Sequence, residues 1–140
     1  MPSAQSGKDV VFVFEFACPN GDALRRIDVG FSIGTESDQI YSVLYSSFTG
    51  KVFHGLPQLG QFRCLVRHLC LAPGSYPIGA RVIVAGQDAD WPKGGIALLR
   101  VEHGDFYGTG HMGFSGKSVF HTSGDWLVTP VTRQKFNPTH

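Results

Sequence analysis

The sequence has 140 residues, the length of one domain, and a formal net charge of +1. Eleven Phe, four Tyr and two Trp residues supply enough apolar mass for a hydrophobic core, which excludes intrinsic disorder. Twelve basic residues against eleven acidic ones lack the basic excess of a general nucleic-acid-binding protein, so we predict no nucleic-acid partner. No apolar run approaches the roughly 20 residues that a membrane-spanning helix needs.

The domain boundaries follow from the two polar ends of the chain. Residues 1–8 lack the apolar stretch of a signal peptide, and we interpret them as a disordered leader or a remnant of cloning. Residues 9–132 are predicted to form one β-sandwich domain. Residues 133–140 are expected to be a frayed tail.

Stretches with a two-residue period, separated by Gly and Pro, predict strands and turns rather than helices. In chain order the predicted strands are Val10–Phe16, Leu24–Ile33, Gln39–Ser47, Gln61–Leu69, Tyr76–Ala85, Gly95–Val101, Ser118–Thr122 and Asp125–Thr132. In the first strand Phe12, Phe14 and Phe16 share one face, and Val11, Val13 and Glu15 share the other. About eight short strands with frequent turns predict an all-β protein, an antiparallel β-sandwich of the immunoglobulin-like or jelly-roll kind.

Three segments rich in Gly or Pro are predicted connections: residues 48–59, 86–94 and 104–117. The last of them ends close to Gly116-Lys117-Ser118, which resembles the end of a phosphate-binding loop. That motif requires a glycine at position 111, where this sequence has His111, and it requires a strand before it and a helix after it. We therefore interpret this segment as a turn that enters a strand.

The cysteines do not predict a disulfide framework or a metal motif. Cys18, Cys64 and Cys70 are three in number, and their spacing excludes a pair of closely spaced cysteine ligands. We expect free thiols, which are typical of a reducing compartment.

The histidines leave one enzymatic alternative open. No two of them have the spacing of a metal-binding pair on one strand, but His103, His111 and His121 lie close enough in sequence to converge in space. This alternative is a small metal-dependent β-barrel enzyme of the cupin type. Because no serine nucleophile motif or spaced carboxylate pair is present, we predict a protein that is not an enzyme and needs no cofactor.

The polar face of the predicted sandwich suits a sugar ligand. An aromatic ring stacks on the apolar C–H face of a pyranose, and forked polar groups bind its hydroxyl or acidic substituents. The candidate carbohydrate-binding residues are Tyr41, Tyr45, Arg63, Arg67, Arg81 and Trp91. Each of them also has a plainer interpretation, as a solvated arginine or a core aromatic residue.

Four segments carry a resemblance to a known family. They are DVVFVFEF at residues 9–16, LRRIDVGFSI at 24–33, LAPGSY at 71–76 and ALLRVEHGDFYG at 97–108, with Trp126 downstream. In order and spacing they resemble the C-terminal polysaccharide-binding domain of the Wzt family. These proteins are the nucleotide-binding subunits of the ABC transporters that export bacterial O-polysaccharide. The resemblance covers about residues 9–128.

The resemblance implies a β-sandwich that recognises the exported glycan, commonly at its modified non-reducing end. It implies a cytoplasmic location at the inner membrane, where an ATPase domain would join the domain to the membrane-embedded transporter subunit. This chain lacks the phosphate-loop and signature motifs of that ATPase domain. The resemblance further implies a homodimer formed by exchange of the C-terminal strand, here Asp125–Thr132 after the hinge at Ser123–Gly124. A plain dimerisation module without glycan binding is the second alternative.

Overall fold

Two β-sheets form the fold in the computed structural model of the protein, which describes residues 3–35, 37, 39–90, 97–114 and 118–131. Two short 3-10 helices, η1 (Gly21–Ala23) and η2 (Ser46–Thr49), interrupt the strands. The strands within these residues are β1 (Ser3–Gln5), β2 (Val10–Ala17), β3 (Ile27–Gly34), β4 (Ile40–Tyr45), β5 (Leu59–Val66), β6 (Gly74–Val84), β7 (Gln87–Asp90) and β8 (Ala97–Glu102).

The larger sheet has the strand order β1-β8-β6-β3-β4, and β7 pairs with the far end of β6. Its pairs are antiparallel except for β1 and β8, which run parallel, so the sheet is mixed rather than purely antiparallel. The smaller sheet consists of β2 and β5 in antiparallel register from Val10 opposite Val66 to Ala17 opposite Leu59. The predicted β-sandwich is confirmed.

The core lies between the two sheets, and the alternation in the sequence explains which side chains reach it. Phe12 of the smaller sheet stacks on Phe31 of the larger one, with ring centroids 4.6 Å apart. Phe14 contacts the same Phe31 ring at 5.6 Å. Ile33, Tyr76, Ile78, Leu99 and Val101 complete the large-sheet side of this cluster. The face of β2 that carries Phe12 and Phe14 is therefore the one that faces the core.

The amino-terminal segment belongs to the sheet, which corrects its interpretation as a disordered leader. Ser3, Ala4 and Gln5 pair with Arg100, Val101 and Glu102 of β8. Ser6 is fully buried, and its hydroxyl donates a hydrogen bond to the Leu71 carbonyl. The reason is local: the small hydroxyl satisfies a buried backbone acceptor that would otherwise lack a partner.

Two further departures concern strands. β7 lies within the predicted connection 86–94, where it folds back on β6. The predicted strand Ser118–Thr122 is reduced to one bridge between Leu71 and Phe120, flanked by backbone bonds from Ala72 to Val119 and from His121 to Cys70.

The carboxyl-terminal segment is the largest departure. Residues 121–131 form no strand, although Asp125–Thr132 is predicted as one. Trp126 is 97% exposed and Val128 is 94% exposed, so this segment, here called the C-terminal arm (residues 122–131), packs on no part of the described chain. A β-forming sequence becomes a strand only when it pairs with a sheet edge, and in the single chain residues 122–131 pair with none of the described strands. No helix among the described residues is long and apolar enough to cross a bilayer.

Candidate functional site

A groove of about 430 Å³ opens between the η2 edge of the larger sheet and β5 of the smaller one. We call it the η2–β5 groove. Its size lies within the range of ordinary small-molecule sites. Its floor is apolar and includes Phe14, Phe31, Leu44, Phe53 and Phe62. Its polar rim consists of Tyr45, Ser46, Thr49, Lys51 and Arg63.

One wall of the groove is held in place by a carboxylate beneath it. Asp28 on β3 accepts hydrogen bonds from the Ser46 hydroxyl at 3.0 Å, the Ser47 backbone N–H at 3.0 Å and the Ser47 hydroxyl at 2.6 Å. These three bonds satisfy the first turn of η2, which has no side-chain cap of its own. The Lys51 N–H then donates to the Ser46 carbonyl at 2.9 Å, which places Lys51 directly after the turn.

The Tyr45 ring lies across the backbone of β3 because residue 30 is glycine. Gly30 is the register partner of both Tyr45 on β4 and Arg81 on β6. A Cβ at Gly30 would lie 2.5 Å from Tyr45 Cδ2, closer than van der Waals contact allows. Phe48 contacts the same ring at 5.5 Å. The glycine therefore lets an aromatic ring lie flat at the entrance of the groove.

Arg63 lies on the opposite rim, since β5 is an edge strand and its outward side chains border the groove. Its guanidinium donates to Gln61 Oε1 at 3.3 Å. Within the described residues neither Arg63 nor Lys51 has a carboxylate within 4 Å.

The structure brings two of the six candidate sugar-binding residues to this groove, Tyr45 and Arg63. Arg67 follows the last residue of β5 and forms an exposed ion pair with Asp9 at 3.8 Å. Arg81 lies in the same cross-strand row as Tyr45 but does not line the groove. Tyr41 packs edge-on against Phe120 at 5.8 Å. Trp91 lies outside the described residues.

The sequence offered little to identify the other members of the groove. Thr49, Lys51 and Phe53 fall in the predicted irregular connection 48–59, and Ser46 lies near the end of the predicted strand Gln39–Ser47. The one usable signal is the pair of serines after Tyr45, since consecutive hydroxyl residues after a strand favour a turn closed by a nearby acceptor.

A second groove of about 310 Å³ lies on the other side of the smaller sheet, between β2 and β8. Apart from Ser3, the residues that line it are apolar: Val10, Val11, Phe12, Val13, Phe14, Ile78, Ala97, Leu98 and Leu99. We call it the β2–β8 groove.

The cysteine in the η2–β5 groove is a poor nucleophile. Burial raises the pKa of the Cys64 thiol above its usual range, so the thiol stays protonated at neutral pH. The three cysteines are free thiols, as expected.

The three candidate metal-binding histidines do not converge. His121 is buried against Phe106, with ring centroids 5.2 Å apart, while His103 and His111 are exposed. In the part of the chain that the structure describes, no three His, Cys, Asp or Glu side chains are grouped to hold a metal ion.

The segments LAPGSY and GDFYG both contribute to packing. In the first, the Tyr76 hydroxyl donates to the Ala72 carbonyl at 2.6 Å and closes the corner that leads into β6. In the second, Phe106 is buried between the His68 ring at 4.2 Å and His121. These residues stabilise one end of the sandwich and lie outside both grooves.

Comparison with known proteins gives one informative result. No family model and no curated protein matches the sequence. Among the solved structures, the crystal structure of the C-terminal domain of Wzt matches with a TM-score of 0.67 and 14% identity, over 91% of this chain and 74% of that one. The chain has the fold of the C-terminal domain of Wzt. The resemblance carried by the four sequence segments is thereby confirmed as a similarity of fold to Wzt.

Proposed function

We propose that this domain is a non-catalytic carbohydrate-binding module that recognises a bacterial O-polysaccharide, at its modified non-reducing end, for export by an ABC transporter. The similarity of fold to the Wzt domain supports the class of protein. The observation that carries the proposal is the η2–β5 groove, where an aromatic ring, two hydroxyls and two cations surround an apolar floor. Under this proposal the domain works at the cytoplasmic face of the inner membrane, through an ATPase domain bound to the transporter subunit.

The groove suits a sugar because its two kinds of surface match the two kinds of surface on a pyranose ring. Tyr45 and the phenylalanine floor can cover the apolar C–H face of the ring. The hydroxyl oxygens of Ser46 and Thr49 can accept hydrogen bonds, while their own protons are donated to Asp28 and to the Ser46 carbonyl. Arg63 offers a fork of donors. Tyr41, Arg81 and Trp91 remain candidates for contact with a longer chain of sugars that extends from the groove, whereas we do not expect Arg67, which is paired with Asp9, to contact the glycan.

We further propose that the domain dimerises by exchange of the C-terminal arm. Trp126, Leu127, Val128 and Val131 are all more than 70% exposed, which is unfavourable in water for four large apolar side chains on one segment. The smaller sheet has two strands, and each leaves one edge unpaired within the described residues. An arm from a second copy would cover its own apolar side chains and one of these edges, and the reciprocal exchange closes a symmetric dimer.

A binding titration tests the glycan proposal. The protein is titrated by calorimetry with O-polysaccharide of the source bacterium, once intact and once with the non-reducing end trimmed. We expect binding of the intact polymer and loss of binding after trimming. Equal binding of both polymers would contradict recognition of the end. Absence of binding by a folded, dimeric protein would instead favour the plain dimerisation module, which the exposed arm also supports.

A further inference from the structure

The η2–β5 groove carries an uneven distribution of charge. Two cations, Lys51 and Arg63, line its rim, and no acidic or amide side chain is among its lining residues. The nearest carboxylate on that wall, Asp28, already accepts three hydrogen bonds from Ser46 and Ser47 and lies outside the lining. The rim is therefore positively charged and lacks a neutralising partner of its own.

This distribution is unfavourable for a neutral sugar. The hydroxyls of a neutral sugar are donors as well as acceptors, and Asp, Glu, Asn and Gln side chains are the strong acceptors for such donors. Among the described lining residues, the acceptors available to a ligand are the Tyr45, Ser46 and Thr49 hydroxyls and backbone carbonyls. Lys51 and Arg63 can only donate, so a ligand that uses them must supply acceptor oxygens, and charged oxygens bind them best.

Backbone hydrogen bonds and strand pairing fix the main chain at both Lys51 and Arg63. Lys51 follows η2, where its N–H is bonded to the Ser46 carbonyl at 2.9 Å. Arg63 belongs to the paired strand β5, opposite Val13, and its guanidinium donates one hydrogen bond to the Gln61 side chain. A guanidinium has five N–H donors, so most remain for a ligand. Side chains anchored in this way lose less conformational freedom on binding than side chains on a mobile loop.

We infer that the η2–β5 groove selects a sugar residue that bears an anionic group, a carboxylate or a phosphate, held by Lys51 and Arg63 while the apolar floor covers the sugar ring. This inference rests on the proposed glycan-binding function and adds the charge of the ligand to it. The β2–β8 groove serves as the internal contrast, because no charged side chain lines it and it offers an anion no counter-charge.

The test compares three sugars that differ at one carbon: methyl glucoside, methyl glucuronide and methyl glucoside 6-phosphate. Each is titrated into the 15N-labelled full chain, and backbone amide shifts report both affinity and location. We expect shifts at residues 44–53 and 61–65, with the two anionic sugars binding at least tenfold more tightly than the neutral one. Inorganic phosphate alone should bind more weakly than the sugar phosphate, because it does not use the apolar floor.

Variants assign the effect to the two cations. Lys51→Gln and Arg63→Gln should each remove most of the preference for the anionic sugars, and Lys51→Arg should retain it. Arg67→Gln is the matched control, an exposed arginine directly after β5 that does not line the groove, and should leave the preference unchanged. Amide spectra of each variant establish that it is folded before its affinity is interpreted.

The outcomes separate this inference from the function on which it rests. Equal affinity for all three sugars at the groove, insensitive to Lys51→Gln and Arg63→Gln, would overturn the anion preference and leave glycan binding intact. Binding of the anionic sugars with shifts elsewhere on the domain would also overturn it. Loss of all sugar and O-polysaccharide binding would contradict the proposed function itself.

Discussion

At two positions of this fold, a close contact leaves no room for a side chain, so the residue there must be glycine. A Cβ at Gly104 would lie 2.1 Å from the Ser6 carbonyl oxygen, a backbone atom that cannot move aside without breaking the buried turn at β1. Gly30 plays a comparable part beneath the Tyr45 ring, but there the obstacle is a half-buried side chain. Neither requirement is visible in the sequence, since each depends on a segment far away in the chain.

Replacement of Gly104 by alanine should destabilise the domain strongly. The added methyl group would overlap the Ser6 backbone, and overpacking of this kind costs about 1–3 kcal/mol or more in the free energy of unfolding. Gly124→Ala is the matched control, since no atom lies within 4 Å of its Cβ position. Urea unfolding of both variants measures the difference, and equal stability would contradict the described packing of residues 6 and 104.

Tyr76 gives the domain a predicted sensitivity to alkaline pH. Burial raises the pKa of its hydroxyl above the ordinary value of about 10, with further contributions from Tyr41 and Cys70. The unfolded chain therefore loses this proton at a lower pH than the folded one does. The stabilisation is complete below pH 10 and falls as the pH rises through the folded-state pKa.

This prediction is tested by unfolding experiments between pH 8 and 11. These pH values bracket a tyrosine pKa of about 10. The free energy of unfolding should fall with rising pH in the wild type and fall less steeply in Tyr76→Phe. The same variant also loses the hydrogen bond to the Ala72 carbonyl, which lowers its stability at pH 8 by about 1 kcal/mol. Parallel pH profiles for the two proteins would show that Tyr76 does not carry the effect.

At the scale of elements, η2 depends on β3 for its position. Asp28→Ala removes the acceptor of three hydrogen bonds from Ser46 and Ser47, so the first turn of η2 keeps only the weaker bond from the Val29 N–H to the Ser46 hydroxyl. We expect a loss of about 1–3 kcal/mol in stability and weaker glycan binding, because Tyr45, Ser46 and Lys51 line the groove from this turn. Asp125→Ala, an exposed carboxylate on the arm, is the control. Unchanged glycan affinity in a folded Asp28→Ala protein would show that the position of η2 does not matter for glycan binding.

The sequence predicted six of the eight described strands because alternating apolar side chains, or in β4 a run of β-forming residues, mark each of them. Phe12 and Phe14 of β2 are clear cases. β1 has only three residues, Ser3–Gln5, and pairs with β8 nearly a hundred residues later, so no local pattern could reveal it. The C-terminal arm is the reverse case, a predicted strand that does not form. Its composition favours a strand, but a strand forms only if a sheet edge outside the arm pairs with it.

The candidate site was predictable in its residue types and not in its location. Tyr45 and Arg63 were identified because aromatic rings and forked cations suit sugars. The groove that joins them forms where η2 and β5 approach, and its third essential residue, Lys51, lies in a segment without periodicity. A constellation assembled from β4, η2 and β5 is a property of the tertiary fold, which strand alternation does not encode.

At the scale of the whole molecule, the exposed arm predicts a dimer that depends on residues 125–131. Trp126 is 97% exposed in the single chain, and exchange would bury it. In a Trp91→Phe background, Trp126 fluorescence should shift to the blue as the protein concentration rises and the dimer forms. A monomer by light scattering, with red-shifted emission at every concentration, would contradict exchange.

Removal of residues 125–140 gives a second test of the same assembly. The shortened chain cannot supply an arm, so the unpaired edges of the smaller sheet and its grooves stay uncovered. We expect aggregation or unfolding. A soluble, folded monomer of the shortened chain would show that the arm is not needed to complete the fold.

The measurement that tests the glycan-binding site most directly is a calorimetric titration of the O-polysaccharide into the wild type, Arg63→Ala and Arg67→Ala. Arg63 lies in β5 and Arg67 directly follows that strand, but only Arg63 lines the groove. Loss of one charge-assisted hydrogen bond costs about 1.5–3 kcal/mol, so Arg63→Ala should bind roughly 10- to 150-fold more weakly. Arg67→Ala should bind like the wild type. Equal affinity of all three proteins would place the glycan outside the η2–β5 groove.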